Sequence, residues 1–209
     1  MPPSIVAPLF DYDARILSVL GRIGPSEINL VIDQLLRLDH ASDDPITVFI
    51  SSQGGDIVEG LKLLDTLGLL RARITAVGMG LIEGASIFLL AGAEQRILYP
   101  SMAASVAGLW DLPLLHASAK RGIGLQLDTP AAEQLRIQIT QLLKEVVGIG
   151  QGKIPGLLAD PDTPVSYYTA TDLIRLGLAD VVINGPHRLL IKPSPPMNLH
   201  AKNRIIPRL

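Results

Sequence analysis

The sequence predicts an α/β fold, a parallel β-sheet with flanking helices, on three observations. Short apolar runs recur along the first hundred positions. Between them lie segments whose apolar residues repeat at helical spacing. The links are short and carry Gly, Pro, Asp and Ser. Apolar strands alternating with helices form parallel sheets through right-handed crossovers.

The elements follow in order. Residues 15–20 read as a strand closed by Gly21. Ser26 is the expected N-cap of a helix whose Ile28, Val31, Ile32, Leu35 and Leu36 share a face, ending near Asp39. Residues 46–50 form a second strand, apolar enough to be buried on both sides. After the Ser51–Gly55 turn, Asp56 opens a helix, with Glu59 three residues on as its capping-box partner. That helix carries Leu61, Leu64, Leu67 and Leu70. Strands are expected at 74–77, at 95–98 and, as a fifth, within 103–109, with a buried apolar helix from Glu83. A loop over 111–129 precedes one long helix from Pro130 to Val147, stopped by Gly148 and Gly150. Residues 169–180 hold a short helix closed by a Gly, and 181–183 a last strand.

The 209 residues suit one domain, set at 1–184, with no internal repeat. The tail, 185–209, is rich in Pro and in Lys and Arg, so it is extended. It is either solvated or strapped onto a neighbour.

Composition excludes several classes. A net charge of −2 does not suit a nucleic-acid binder. There is no Cys, which removes disulfide and thiolate chemistry and fits a cytoplasmic protein. No apolar run reaches the roughly 18 residues of a membrane helix, and the N-terminus lacks the basic region of a secretory signal. The four His are too scattered for a metal site, and no phosphate-binding glycine motif or other sign of a cofactor is present. A mean hydropathy of +0.36 points to apolar surface shared between subunits, hence a homo-oligomer.

Three segments carry a family resemblance. Ile50-Ser51-Ser52-Gln53-Gly54-Gly55 resembles a strand end reading INSPGG. Residues 78–93, ending Leu89-Leu90-Ala91-Gly92-Ala93, resemble a Gly-rich strand end running into a nucleophile-bearing helix. Thr169-Ala170-Thr171-Asp172-Leu173 with Gly177-Leu178-Ala179-Asp180 resembles SAxEAxxxGLVD. In this order they resemble ClpP, the proteolytic subunit of the Clp protease, over roughly residues 14–183. The resemblance implies a ClpP/crotonase-like fold of repeated β-β-α and βαβ units. It also makes the helix from Pro130 a protruding handle by which heptameric rings stack.

The resemblance further implies a Ser-His-Asp triad, and this chain departs from it. Aligned from the downstream Leu89-Leu90-Ala91-Gly92-Ala93, the Ser position holds Glu83; aligned from Gly78, it holds Ile82. The His position falls at Ala107 and the Asp position at Val165. A triad needs a nucleophile, a base and a carboxylate to orient the base. Gly54, Gly55 and Gly84, near which the family's backbone N–H groups bind oxyanion and substrate, are kept. The segment 109–116, with Trp110, is longer than the family's and is placed to cover the old site. The short N-terminus makes coupling to an AAA+ unfoldase doubtful.

Three functions fit these residues. The first is a catalytically degenerate, ClpR-like structural or regulatory subunit of a ring, mixing with active ClpP subunits. The second is an enzyme of altered chemistry, with Glu83 as acid or base beside a Gly-Gly oxyanion hole. The third is a serine peptidase with relocated residues, Ser86 or Ser101 with His116. Each candidate has a plainer role. Glu83 suits a helix's first turn, Asp56 and Glu59 suit capping, and Ser86 suits close packing on an apolar helix.

Overall fold

The computed structural model describes residues 10–105, 134, 137, 138, 141, 145 and 167–183. The elements among them are strand β1 (Phe10–Asp11), β2 (Ile16–Leu20), helix α1 (Pro25–Ala41), β3 (Ile46–Ser52), α2 (Ile57–Leu69) and β4 (Ile74–Glu83). A 3-10 turn (Gly84–Ser86) then leads to α3 (Ile87–Ala91), β5 (Gln95–Leu98), β6 (Ala103–Ser105), β7 (Tyr168–Thr169), α4 (Ala170–Leu176) and β8 (Val181–Val182).

The sheet runs β1-β2-β3-β4-β5-β8, with β6 beside β4 and β7 beside β6. Its main body is parallel, as expected. Two short strands the sequence did not announce, β1 and β7, pair antiparallel with β2 and β6. The core is aliphatic: Leu17, Ile28, Leu35, Leu38, Val48, Ile50, Leu63 and Ile87 are buried, with Phe88 as the one fully buried ring among the described residues. Each such side chain contributes about 1.5–3 kcal/mol on leaving water.

β3 alternates rather than being apolar on both sides. Ile46, Val48, Ile50 and Ser52 are buried, while the residues between them are only half-buried. β4 runs six residues beyond the expected Val77, because it holds an irregularity. Ile50 pairs with Gly78 and Ser52 with Ile82, so two steps along β3 span four along β4. The extra residues include Gly80, whose φ of +61° suits glycine. Before this bulge β4 pairs with β5; beyond it β4 pairs with β6. The bulge therefore directs the end of β4, with Glu83, between β3 and β6.

Two capping expectations change. α1 starts at Pro25 with Gly24 as its N-cap; the Ser26 hydroxyl donates instead to Glu27. Pro at the first helical position forfeits no intrahelical bond, so the helix starts two residues early. At α2 the Asp56 carboxylate does accept from Val58 N–H at 2.9 Å. The return bond from Glu59 is missing, because Asp56 N–H already donates to Ile23 O at 3.1 Å. Glu59 pairs with Lys62 instead. His40, past the expected helix end near Asp39, lies in the last turn of α1.

Polar staples join the elements. The Arg15 guanidinium donates to the carbonyls of Leu38, Ser42 and Asp44 at the end of α1. Asp39 Oδ1 accepts from the N–H groups of Arg71 and Ala72, both at 2.8 Å. Arg96 binds Asp180 through two guanidinium nitrogens and Gly177 O through a third, holding β8 beside β5. Gln134, Ile137, Gln138, Gln141 and Glu145, within the expected handle helix, are helical and exposed. The tail from 185 lies outside the described residues. Among the described residues no helix is long and apolar enough to cross a membrane.

Candidate functional site

The site stands at the carboxyl ends of β3, β4 and β6, where parallel sheets place ligands. β3 delivers Ser52 and the Gly54-Gly55 turn. Ser52 Oγ, fully buried, accepts Gly54 N–H at 3.0 Å. Gly54 O accepts Ile23 N–H at 2.8 Å, and Ile23 O accepts Asp56 N–H, so Ile23 bridges to Gly55 in parallel register. Both bonds flank Gly55, which turns its own N–H and C=O away from Ile23.

Sterics require both glycines. A Cβ on Gly54 would lie 2.6 Å from Glu83 O and 3.2 Å from Gly84 Cα, and its φ is +73°. A Cβ on Gly55, at φ +152°, would lie 2.0 Å from Ile23 O. The turn thus packs directly on the backbone of residues 83–84.

Glu83 is the last residue of β4 rather than the first of a helix. α3 begins only at Ile87, and the Glu83 side chain makes no cap hydrogen bond to the intervening 3-10 turn. Gly84 has φ +50°, which lets the chain leave the strand sharply. Ile82, the other register for the nucleophile position, is fully buried and pairs with Ser52 and Ala104. Glu83 is half-buried. Ser86 is fully buried, and its hydroxyl donates to Glu83 O at 2.7 Å.

The residue that sequence reasoning missed is Tyr167. Its hydroxyl donates to the Glu83 carboxylate, and the hydrogen bond together with the negative charge holds the phenol above its ordinary range. Sheet register brings the two together. Glu83 is opposite Ser105 in the β4–β6 pair. Ala103 faces Thr169 and Ala104 faces Tyr168 in the β6–β7 pair, so the next step puts Ser105 opposite Tyr167. Tyr167, the residue just before β7, thus continues the row of Glu83 and Ser105. The sequence's only hint was Tyr167-Tyr168 directly before the Thr169 cap, a β-prone pair.

Of the remaining candidates, Ser101 is in an exposed turn and Ser105 is fully buried. Asp56 is committed to its helix cap. Ala107, Trp110, His116 and Val165 lie outside the described residues. Among the described residues no three His, Asp or Glu gather to hold a metal. A carboxylate with a phenol donor can hold a proton or a cation; it cannot act as a serine hydroxyl does in acyl transfer.

The Clp protease family profile matches residues 6–186. One similar sequence is the ATP-dependent Clp protease proteolytic subunit 3 of a Synechococcus strain, 25% identical over 177 residues, which are 83% of this chain and 84% of that protein. Another is the ATP-dependent Clp protease proteolytic subunit 2 of Treponema denticola, 29% identical over 152 residues, covering 68% and 70%. In three dimensions the chain is similar to ClpP1 from Listeria monocytogenes, with a TM-score of 0.67, 24% identity and coverage of 84% and 94%. It is equally similar to the ClpP protease catalytic domain from Plasmodium falciparum, with a TM-score of 0.67, 21% identity and coverage of 85% and 89%. The fold is therefore that of ClpP, and the chain belongs to the Clp protease family.

Proposed function

We propose that this chain is a non-catalytic member of its family: a structural or regulatory subunit of a ring oligomer, working in the cytoplasm, where active ClpP subunits are its natural co-assembly partners. One observation carries the reading. At the strand end where the resemblance places the nucleophile, the chain presents Glu83, and the carboxylate is engaged by Tyr167. The nearest serine along the chain does not replace it, since the Ser86 hydroxyl is fully buried and donates to Glu83 O. Ala107 and Val165 at the other two family positions bring neither base nor carboxylate. The relatives named as proteolytic subunits support a subunit role.

Co-expression with an active family subunit tests this. The expected result is a mixed oligomer by native mass spectrometry, and a pure protein that cleaves no peptide and takes up no fluorophosphonate. Peptidase activity of the pure protein, abolished by one point change, overturns it.

A second reading is favoured by the half-buried Glu83, whose backbone packs against the Gly54-Gly55 turn. Here Glu83 is an acid or base, and Gly55 and Gly84 N–H groups stabilise an oxyanion or enolate. It requires an activity that Glu83→Gln removes while the oligomer persists.

A further inference from the structure

Glu59, on α2, is the one charged residue among the buried described residues, only 9% exposed. Its cation is Lys62, one turn on, with Nζ 2.5 Å from Oε2. That oxygen is buried and accepts no hydrogen bond. The contact is therefore ionic rather than directed. The charge on Lys62, not an aligned N–H, compensates the carboxylate. Lys62 is also a link between helices: its Nζ donates to Asn29 Oδ1 of α1 at 2.8 Å. Its side chain is still 40% exposed, so solvent reaches the lysine while Glu59 stays buried.

The first turn of α2 stands between this pair and the candidate site. Asp56 caps the turn, and its N–H donates to Ile23 O directly after Gly55. Gly60, next to Glu59, has no spare room on its other side. A Cβ there would lie 2.9 Å from Ala85 Cβ and 3.0 Å from the Phe88 ring. Gly54 is packed as closely on Glu83 O. Close-packed contacts of this kind transmit a displacement rather than absorb it. A shift of the first turn of α2 therefore reaches both the Gly54-Gly55 turn and the segment behind Glu83.

We propose that Lys62 is a modification site and works as a charge lock. Acylation of Nζ by an activated acyl group, a thioester or an acyl phosphate, releases the first turn of α2 and loosens the Gly54-Gly55 turn. The ammonium first gives a proton to water. The free amine then attacks the acyl carbon, and a C–N bond forms as the C–S or C–O bond breaks. Thiolate or phosphate leaves, and a second proton goes to water. The amide product is neutral, so Glu59 stays buried without its counter-charge. Removing one partner of a buried pair does more damage than removing both.

Hydrogen exchange read by mass spectrometry on the full chain tests this. Acetyl-lysine encoded at position 62, and separately Lys62→Met, should speed exchange over residues 54–60 about tenfold. Exchange in β5 and β8 should not change. Lys62→Arg keeps the charge and should keep the protection. Adding Glu59→Gln to Lys62→Met should restore most of it. Unchanged exchange with acetyl-lysine, an equal rise in β5 and β8, or a double variant no better than Lys62→Met overturns the proposal. If Lys62→Met does not fold, a folded double variant supports the lock and an unfolded one overturns it. Incubation of the parent protein with acetyl phosphate and with acetyl-coenzyme A, followed by peptide mass spectrometry, identifies the donor. Lys62 left unmodified by both overturns the modification site.

Discussion

The Glu83 carboxylate, by hydrogen bond and charge, holds the Tyr167 phenol above its ordinary range, and strand register sets Glu83 opposite Ser105 of β6. The phenol's folded-state pKa is raised, so the contact contributes below the ordinary value near 10 and is lost as pH rises through the folded value. The chain has four Tyr, and Tyr168 is also raised, chiefly by burial. Ultraviolet titration of phenolate should therefore show two late groups in the parent protein. Glu83→Gln should return one of them toward the ordinary value. An unchanged curve would mean the contact does not exist in solution.

Restoring a serine should not restore a protease. Glu83→Ser supplies a hydroxyl, but Ala107 and Val165, where the resemblance places the other two members, supply no base and no orienting carboxylate. The Glu83→Ser protein is expected to remain unlabelled by fluorophosphonate and inactive on peptides. Labelling would show that a base outside the family position serves the site.

Arg15 combines strain with anchorage. Its φ of +54° is the one positive value on a non-glycine among the described residues, and its guanidinium satisfies carbonyls of Leu38, Ser42 and Asp44. Arg15→Ala keeps the strained backbone and loses the bonds, at a cost of about 1–3 kcal/mol in urea unfolding. Arg15→Gly loses the same bonds but relieves the left-handed conformation, so it should be about 1 kcal/mol less damaging than Arg15→Ala. The reverse order would mean that the turn is not strained.

Two glycines of α2 should respond with opposite sign. At Gly60 a Cβ would meet Ala85 Cβ and O at 2.9 Å and the Phe88 ring at 3.0 Å. Gly60→Ala should therefore push α2 from the turn behind Glu83 and destabilise by about 1–3 kcal/mol. At Gly68 a Cβ meets nothing within 4 Å. Gly68→Ala should stabilise the helix by about 0.5–1 kcal/mol. Melting temperatures of the two variants check this directly.

Acid should unfold the protein through its staples. Asp39, Asp172 and Asp180 all lie below the ordinary carboxylate range. The leading causes are the Ala72 N–H for Asp39, the Thr169 hydroxyl for Asp172 and the Arg96 guanidinium for Asp180. Folded values below the unfolded one, near 3.8, mean that this stability is present above that pH. It is lost as pH falls through the folded values. The urea midpoint should drop below about pH 4, and the drop should be shallower in Asp39→Asn.

Much of the architecture was legible from local pattern. The alternation of apolar runs and helical spacing placed β2, α1, β3, α2, β5 and α4 within a few residues, because side-chain periodicity and short caps are properties of neighbouring residues. The same locality explains the errors. Ser26 and Glu59 had suitable side chains for capping, but Pro25 began the first helix and Ile23 O had already taken the Asp56 N–H.

What the sequence determined by itself was the fold family and the side chains at the position where the resemblance places the nucleophile, since a family motif and its departures are written in order along the chain. Only the tertiary structure decided what Glu83 does there. The bulge around Gly80, the transfer of β4 from β5 to β6, and the β6–β7 register together bring Tyr167 to a carboxylate far away in sequence. Strand register is set by how whole sheets bury their faces, and no window of neighbouring residues contains that information.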